Sequence, residues 1–181
     1  MIEGDVDLIQ LRGKKQSINE LADLAAELHQ ITWRSSIPLI VNDYAEIARE
    51  VPVEGVHLGQ EDDSISMARE KAGRAIVIGK STHSRAQATA AQREGADYIG
   101  FGPIFATPTK PDYAPIGLTE IAPVHVDVTM PVFCIGGIKI DNLKQVIAAG
   151  TRRVAIVSGL LKAPDIVEYA RACKKLLIAE L

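Results

Sequence analysis

The chain has 181 residues, 47% of them hydrophobic, 24% charged and only 4% aromatic, which suits an aliphatic-cored α/β domain. A net charge of −3 and a pI near 5.8 exclude a general basic field for nucleic acid. No apolar run reaches a membrane span, and the opening Met-Ile-Glu-Gly-Asp lacks the regions of a signal peptide.

Seven apolar runs rich in Val and Ile predict strands over 8–12, 39–42, 55–59, 76–79, 98–102, 132–136 and 153–157. Ile18, Leu21, Leu24, Ala25 and Leu28 repeat at helical spacing after the first run. Ser17 is their expected N-cap, and Glu20 completes a capping box. Further on, Ser84 opens a helix that Gly95 ends, and Asp141 opens one that Gly150 ends. A last helix is expected to start near Pro164 and run to the C-terminus. Cys134, inside an apolar run, reads as a small buried hydrophobe, and Cys173 lies in the last helix. Two cysteines make no disulfide framework, so a reducing, cytoplasmic setting is expected.

Strand-helix alternation without a linker predicts one α/β domain over 1–181, a TIM (β/α) barrel with a parallel sheet. Polar or glycine-rich signatures follow nearly every strand, the habit of a barrel rim. Seven strands are one short of a barrel's eight, and the missing unit belongs at the N-terminus. Either an N-terminal segment is absent from the chain as given, or something else covers the two edges.

The signatures are Gln10-Leu11-Arg12-x-Lys14, Val41-Asn42-Asp43, the run from Gly55 to Asp62 and Gly79-x-Ser81-Thr82-His83-Ser84. After them come the run from Gly95 to Phe105, Thr107-x-Thr109-Lys110, Ile135-Gly136-Gly137-Ile138 and Val157-Ser158. In this order and spacing they resemble the thiamine phosphate synthase family, with its related thiazole tautomerases. The resemblance implies a transferase of thiamine biosynthesis that joins a pyrimidine methyl diphosphate to a thiazole phosphate. It releases pyrophosphate by a dissociative, Mg²⁺-dependent route.

The resemblance assigns Asp43 and Asp62 to the metal, an economical carboxylate set for Mg²⁺. Taken singly, either aspartate also reads as a helix cap; Asp63 is a nearby alternative, and Glu61 reads as solvated. Arg12, Lys14 and Lys110 would grip the diphosphate, helped by Ser81, and these four carry the catalytic assignment. Gln10 and Asn42 suit the pyrimidine edge, with a buried structural amide an even alternative for Gln10. Thr107 and Thr109 would contact the thiazole phosphate, which Gly137, Val157 and Ser158 would hold through backbone. His57 reads as a satisfied core histidine, while His29 and His125 read as surface residues. His83 sits where the tautomerase branch moves protons. Lys80 either adds a rim cation or turns outward.

Expected partners are the two small-molecule substrates, with neither nucleic acid nor membrane, and a homo-oligomer is open. One alternative is a thiazole tautomerase using His83. A non-catalytic phosphate-binding barrel is the other.

Overall fold

The computed structural model describes residues 1–107 and 113–179. Seven parallel strands run in chain order across one sheet: β1 (Ile9–Leu11), β2 (Leu39–Asn42), β3 (Gly55–Leu58), β4 (Val77–Thr82), β5 (Tyr98–Phe101), β6 (Val132–Ile135) and β7 (Val154–Ala155). Among the described residues, eight helices accompany them: α1 (Ile18–Arg34), α2 (Ile47–Glu50), α3 (Ile65–Ala72), α4 (Arg85–Arg93), α5 (Ile121–Asp127), α6 (Ile140–Ala148), α7 (Ser158–Leu161) and α8 (Ile166–Ala179). Strands β2, β3 and β5 are buried on both faces, which is why they show no alternation of burial. The core joins Val41, Val56, Ile78, Ile99 and Val132 to helix residues such as Leu21, Ala68, Ala88 and Leu143.

Local chemistry sets several element ends. The Ser17 hydroxyl accepts the Glu20 N–H, and the Glu20 carboxylate accepts the Ser17 N–H at 2.7 Å, so the expected capping box forms. Ser84 caps α4 through the Gln87 N–H. Gly95 and Gly150 follow α4 and α6 with φ of 90° and 106°, conformations that cost glycine little.

Three expected boundaries move. Helix α6 begins at Ile140, because Asn142 accepts the Lys139 N–H at 2.8 Å and places Asp141 inside the first turn. The last helix begins at Ile166 rather than near Pro164: Asp165 accepts the Glu168 N–H at 2.9 Å, and the short α7 precedes it. Strand β4 runs on through Thr82, so Ser81 lies within it rather than after it.

Among the described residues, β1 and β7 are the sheet's edges. Beside β1, a 3-10 turn at Ile2–Gly4 packs on α8 so closely that a Cβ on Gly4 would lie 2.7 Å from that of Ala170. Arg171 donates to the Glu3 carbonyl at 2.8 Å. A groove of about 470 Å³, lined by Met1, Ile2, Glu3, Ile9, Ile166 and Val167, runs along this seam. The sheet curls, so that the Gln10 side chain on β1 comes near Tyr98 on β5, four strands away in the order.

Candidate active site

In a parallel sheet, residues in register point to the same face. Asn42 pairs with His57, His57 with Gly79 and Gly79 with Tyr98, which makes one row across β2 to β5. One step along, Ser81 pairs with Gly100 and Gly100 with Phe133. The rows alternate large and small for a steric reason. A Cβ on Gly79 would fall 2.1 Å from Cζ of Tyr98, and one on Gly100 would fall 3.3 Å from Cε1 of His57.

The glycines therefore open space for two rings inside the curled sheet, where Tyr98 and His57 are each 7% exposed. Their polar atoms are satisfied in series. The Tyr98 hydroxyl lies 3.0 Å from His57 Nδ1, and His57 Nε2 lies 2.9 Å from Ser81 Oγ. The Gln10 side chain lies near the Tyr98 hydroxyl from β1. Burial pushes the Tyr98 phenol far above its ordinary pKa, with Gln10 pulling weakly the other way, so the phenol keeps its proton. His57 is thus a satisfied interior histidine as expected, and one of its partners is the Ser81 hydroxyl.

The expected site residues cluster at the C-terminal ends of the strands. Arg12 and Lys14 lie exposed just beyond β1, and neither forms an ion pair among the described residues. Asn42 closes β2, and Asp43 follows with φ of 73°, its N–H donating to the His57 carbonyl at 2.8 Å. That left-handed backbone at a non-glycine residue turns the chain sharply at the rim. Asp62 sits in the turn after β3, where Oδ2 accepts the Gly59 N–H at 2.6 Å. In the same turn, Gln60 donates to the Ser81 carbonyl. Ser81 is thereby held at both its hydroxyl and its backbone.

Thr107 follows β5, while Thr109 and Lys110 lie outside the described residues. Gly137 (φ 66°) is backed by the loop after β5: a Cβ there would come within 2.7 Å of Phe105 Cβ. Ile104 and Phe105 donate to the Ile135 and Gly136 carbonyls at 2.8 and 3.0 Å, which zips the loops after β5 and β6 together. Val157 precedes α7, and Ser158 is its first residue.

Several other readings resolve. Asp63 pairs with Lys71 at 2.6 Å, which commits it away from the site, while Glu61 is exposed. Lys80 is buried on the opposite side of β4 from Ser81, with Nζ 3.4 Å from the Asp63 carbonyl, so it is no rim cation. His83 donates from Nδ1 to the Gly102 carbonyl and stacks on Tyr113 at 4.1 Å.

His29 and His125 are not surface residues. His29 has a 12% exposed side chain, 3.3 Å from Glu54 and stacked against Trp33. His125 is half-buried, and its pKa is lowered by burial and then by Arg153 and Arg152. Both cysteines are buried and free, and burial raises each thiol pKa.

Sequence reasoning missed Tyr98 as part of the site. Its trace was present in Gly79 and Gly100, glycines inside strands where a side chain approaches.

A metal test follows from the donors. Among the described residues, no three His, Cys, Asp or Glu side chains gather into a closed cage. Two aspartates on the ends of adjacent strands, with Asp62 Oδ1 making no hydrogen bond among the described residues, fit a hard cation that takes its remaining ligands from phosphate and water.

The model of the family described as "Thiamine monophosphate synthase" matches residues 1–160. A thiamine-phosphate synthase of Chloroflexus aurantiacus is 41% identical over 97% of this chain and 81% of its own. One from Halalkalibacterium halodurans is 42% identical over 91% and 79%. The solved structure of thiamine phosphate pyrophosphorylase from Pyrococcus furiosus superposes with a TM-score of 0.92 at 33% identity, covering 99% of this chain and 87% of that one. A 3-hexulose-6-phosphate synthase of Salmonella typhimurium, at 17% identity and a TM-score of 0.69, shares the fold alone. On the strength of the family match and these relatives, the chain belongs to the thiamine monophosphate synthase family.

Proposed function

We propose that the chain acts as its relatives are named, as a thiamine-phosphate synthase that joins a pyrimidine methyl diphosphate to a thiazole phosphate and releases pyrophosphate. The observation that carries this reading is the convergence of Gln10, Asn42, Asp43, Asp62 and Ser81 on the C-terminal ends of β1 to β4. The same reading makes the curled sheet the larger part of a TIM-type barrel in one domain over 1–181, in a cytoplasmic protein. A homo-oligomer is compatible with it.

The reaction is dissociative in this account. The methylene C–O bond breaks with its electron pair leaving on pyrophosphate, the pyrimidine ring carries the resulting cation, and the thiazole nitrogen lone pair forms the new C–N bond. The protein's task is to hold a growing anion and align a nucleophile. Arg12, Lys14 and Lys110 supply positive charge at the diphosphate, and the Ser81 hydroxyl supplies a hydrogen bond. Asn42 and Gln10 face the pyrimidine edge. Thr107, Thr109, Gly137, Val157 and Ser158 hold the thiazole phosphate. Asp43 and Asp62 would hold Mg²⁺, which when bound neutralises charge on the leaving diphosphate.

Titration of both substrates with and without Mg²⁺ tests the reading. Thiamine phosphate and pyrophosphate should form in equal amounts, and only with the metal. A folded protein that binds pyrophosphate but never turns over would overturn it in favour of a non-catalytic binder.

A further inference from the structure

The series Tyr98–His57–Ser81 leads from a buried phenol to a half-buried hydroxyl at the proposed diphosphate site, and its order of donors and acceptors has a consequence for catalysis. A hydroxyl beside an anion helps only when its proton points at the anion. Free to rotate, it presents lone pairs as readily as its proton. We propose that His57 is a positioning residue that fixes the direction of the Ser81 hydroxyl, holding its proton outward for a diphosphate oxygen. The inference rests on the synthase reading above.

The direction follows along the series. Burial keeps the phenol protonated, so Tyr98 has a proton to give. Tyr98 then gives its own proton to the acceptor 3.0 Å away, His57 Nδ1. A neutral imidazole whose Nδ1 accepts carries its proton on Nε2, which donates to Ser81 Oγ at 2.9 Å. Ser81 accepts that bond and keeps its hydroxyl proton for the ligand. In the other tautomer, Ser81 would donate to Nε2 and turn lone pairs toward an anion. Gln60 holds the Ser81 backbone while this happens at the side chain.

The frame is built for the two rings. Gly79 leaves space for the Tyr98 ring and Gly100 for the His57 ring, and the register Asn42–His57–Gly79–Tyr98 fixes their heights.

The test combines kinetics with a direct view of the ring. Ser81→Ala should lower kcat/KM for the pyrimidine diphosphate about 10- to 100-fold, the value of one hydrogen bond to a charged group. His57→Leu should cost a similar factor, and His57→Leu added to Ser81→Ala should cost nothing more. His57→Gln, whose amide N–H can stand in for Nε2–H, should recover part of the loss. Independent, multiplying losses would overturn the proposal, as would an undiminished Ser81→Ala enzyme. The ¹⁵N shifts of His57 in the wild-type protein should report the Nε2–H tautomer. Finding Nδ1–H overturns the proposal even where variants fold poorly. A wild-type chain without turnover would sink the synthase reading instead, and the ring nitrogens would still judge the role of His57.

Discussion

Gly79→Ala is the sharpest probe of the interior. The backbone there is ordinary strand, so by chain entropy alone alanine would stabilise by about 0.4–1 kcal/mol. Space decides the other way. The new Cβ would sit 2.1, 2.4 and 2.5 Å from Cζ, Cε1 and Oη of Tyr98, too close for any rotation of the methyl to relieve. The Tyr98 ring is 7% exposed and wedged edge-on against Phe133 at 5.4 Å, so it cannot simply swing into solvent. Overpacking of this kind costs about 1–3 kcal/mol. Pulling the hydroxyl off His57 Nδ1 leaves a buried acceptor unsatisfied at a further 1–3 kcal/mol or so.

The net expectation is a loss of about 2–5 kcal/mol, read by urea denaturation as a lower midpoint at unchanged slope. A fall in Tm of roughly 5–15 °C should accompany it for a chain of this length. Adding Tyr98→Val should return much of the stability without returning activity, because the space is relieved while the series to Ser81 stays broken. A Gly79→Ala protein that unfolds at the wild-type midpoint would refute this account of why β4 carries a glycine.

Other expectations are simpler. Asp62→Ala should lose activity by about 100-fold or more while losing only about 1 kcal/mol of stability, the worth of its bond to the Gly59 N–H; steady-state assays across Mg²⁺ concentrations check this, and an unchanged metal dependence would count against it. Ser17→Ala should remove the hydroxyl's bonds to the Glu20 N–H and carboxylate, leave the backbone N–H of residue 17 on that carboxylate, and cost about 1 kcal/mol, seen as a drop of a few degrees in Tm. The Arg85 guanidinium holds the Asp127 carboxyl below its ordinary range, first by hydrogen bond and then by charge. A depressed carboxylate stabilises the fold above its unfolded pKa and loses that contribution as pH falls through the folded one. Arg85→Met should therefore flatten the decline in Tm below about pH 4, and parallel curves for the two proteins would refute the linkage.

Much of the fold was legible because burial on both faces writes a strand as an unbroken aliphatic run, and all seven runs became strands. Caps were legible for a local reason: Ser17 and Glu20, or Ser84 and Gln87, bond over three residues. Where two local chemistries competed, the wrong one was favoured. Asp141 looks like a cap, yet Asn142 reaches back to Lys139; Pro164 looks like a first-turn residue, yet Asp165 beside it does the capping.

The interior of the site was less legible. Tyr98 and His57 are 41 residues apart, and only the strand register brings them together. His29 was misread because Glu54, its partner, lies 25 residues on at the foot of β3. Lys80 has one neighbour on each side of β4 to choose from in the sequence, and only the sheet's geometry commits it to the Asp63 carbonyl.

The seam between the 3-10 turn and α8 bears on how the molecule assembles. Glu3 and Arg171 are 168 positions apart, so the surroundings of β1 are completed by a helix far along the chain, which Gly4 meets at Ala170. Closing so large a loop must come late, after the nearer strands have paired in order. Residues 1–11 therefore wait for α8 to form, and a cut within α8 would leave that segment unsupported while β2 to β6 stay joined.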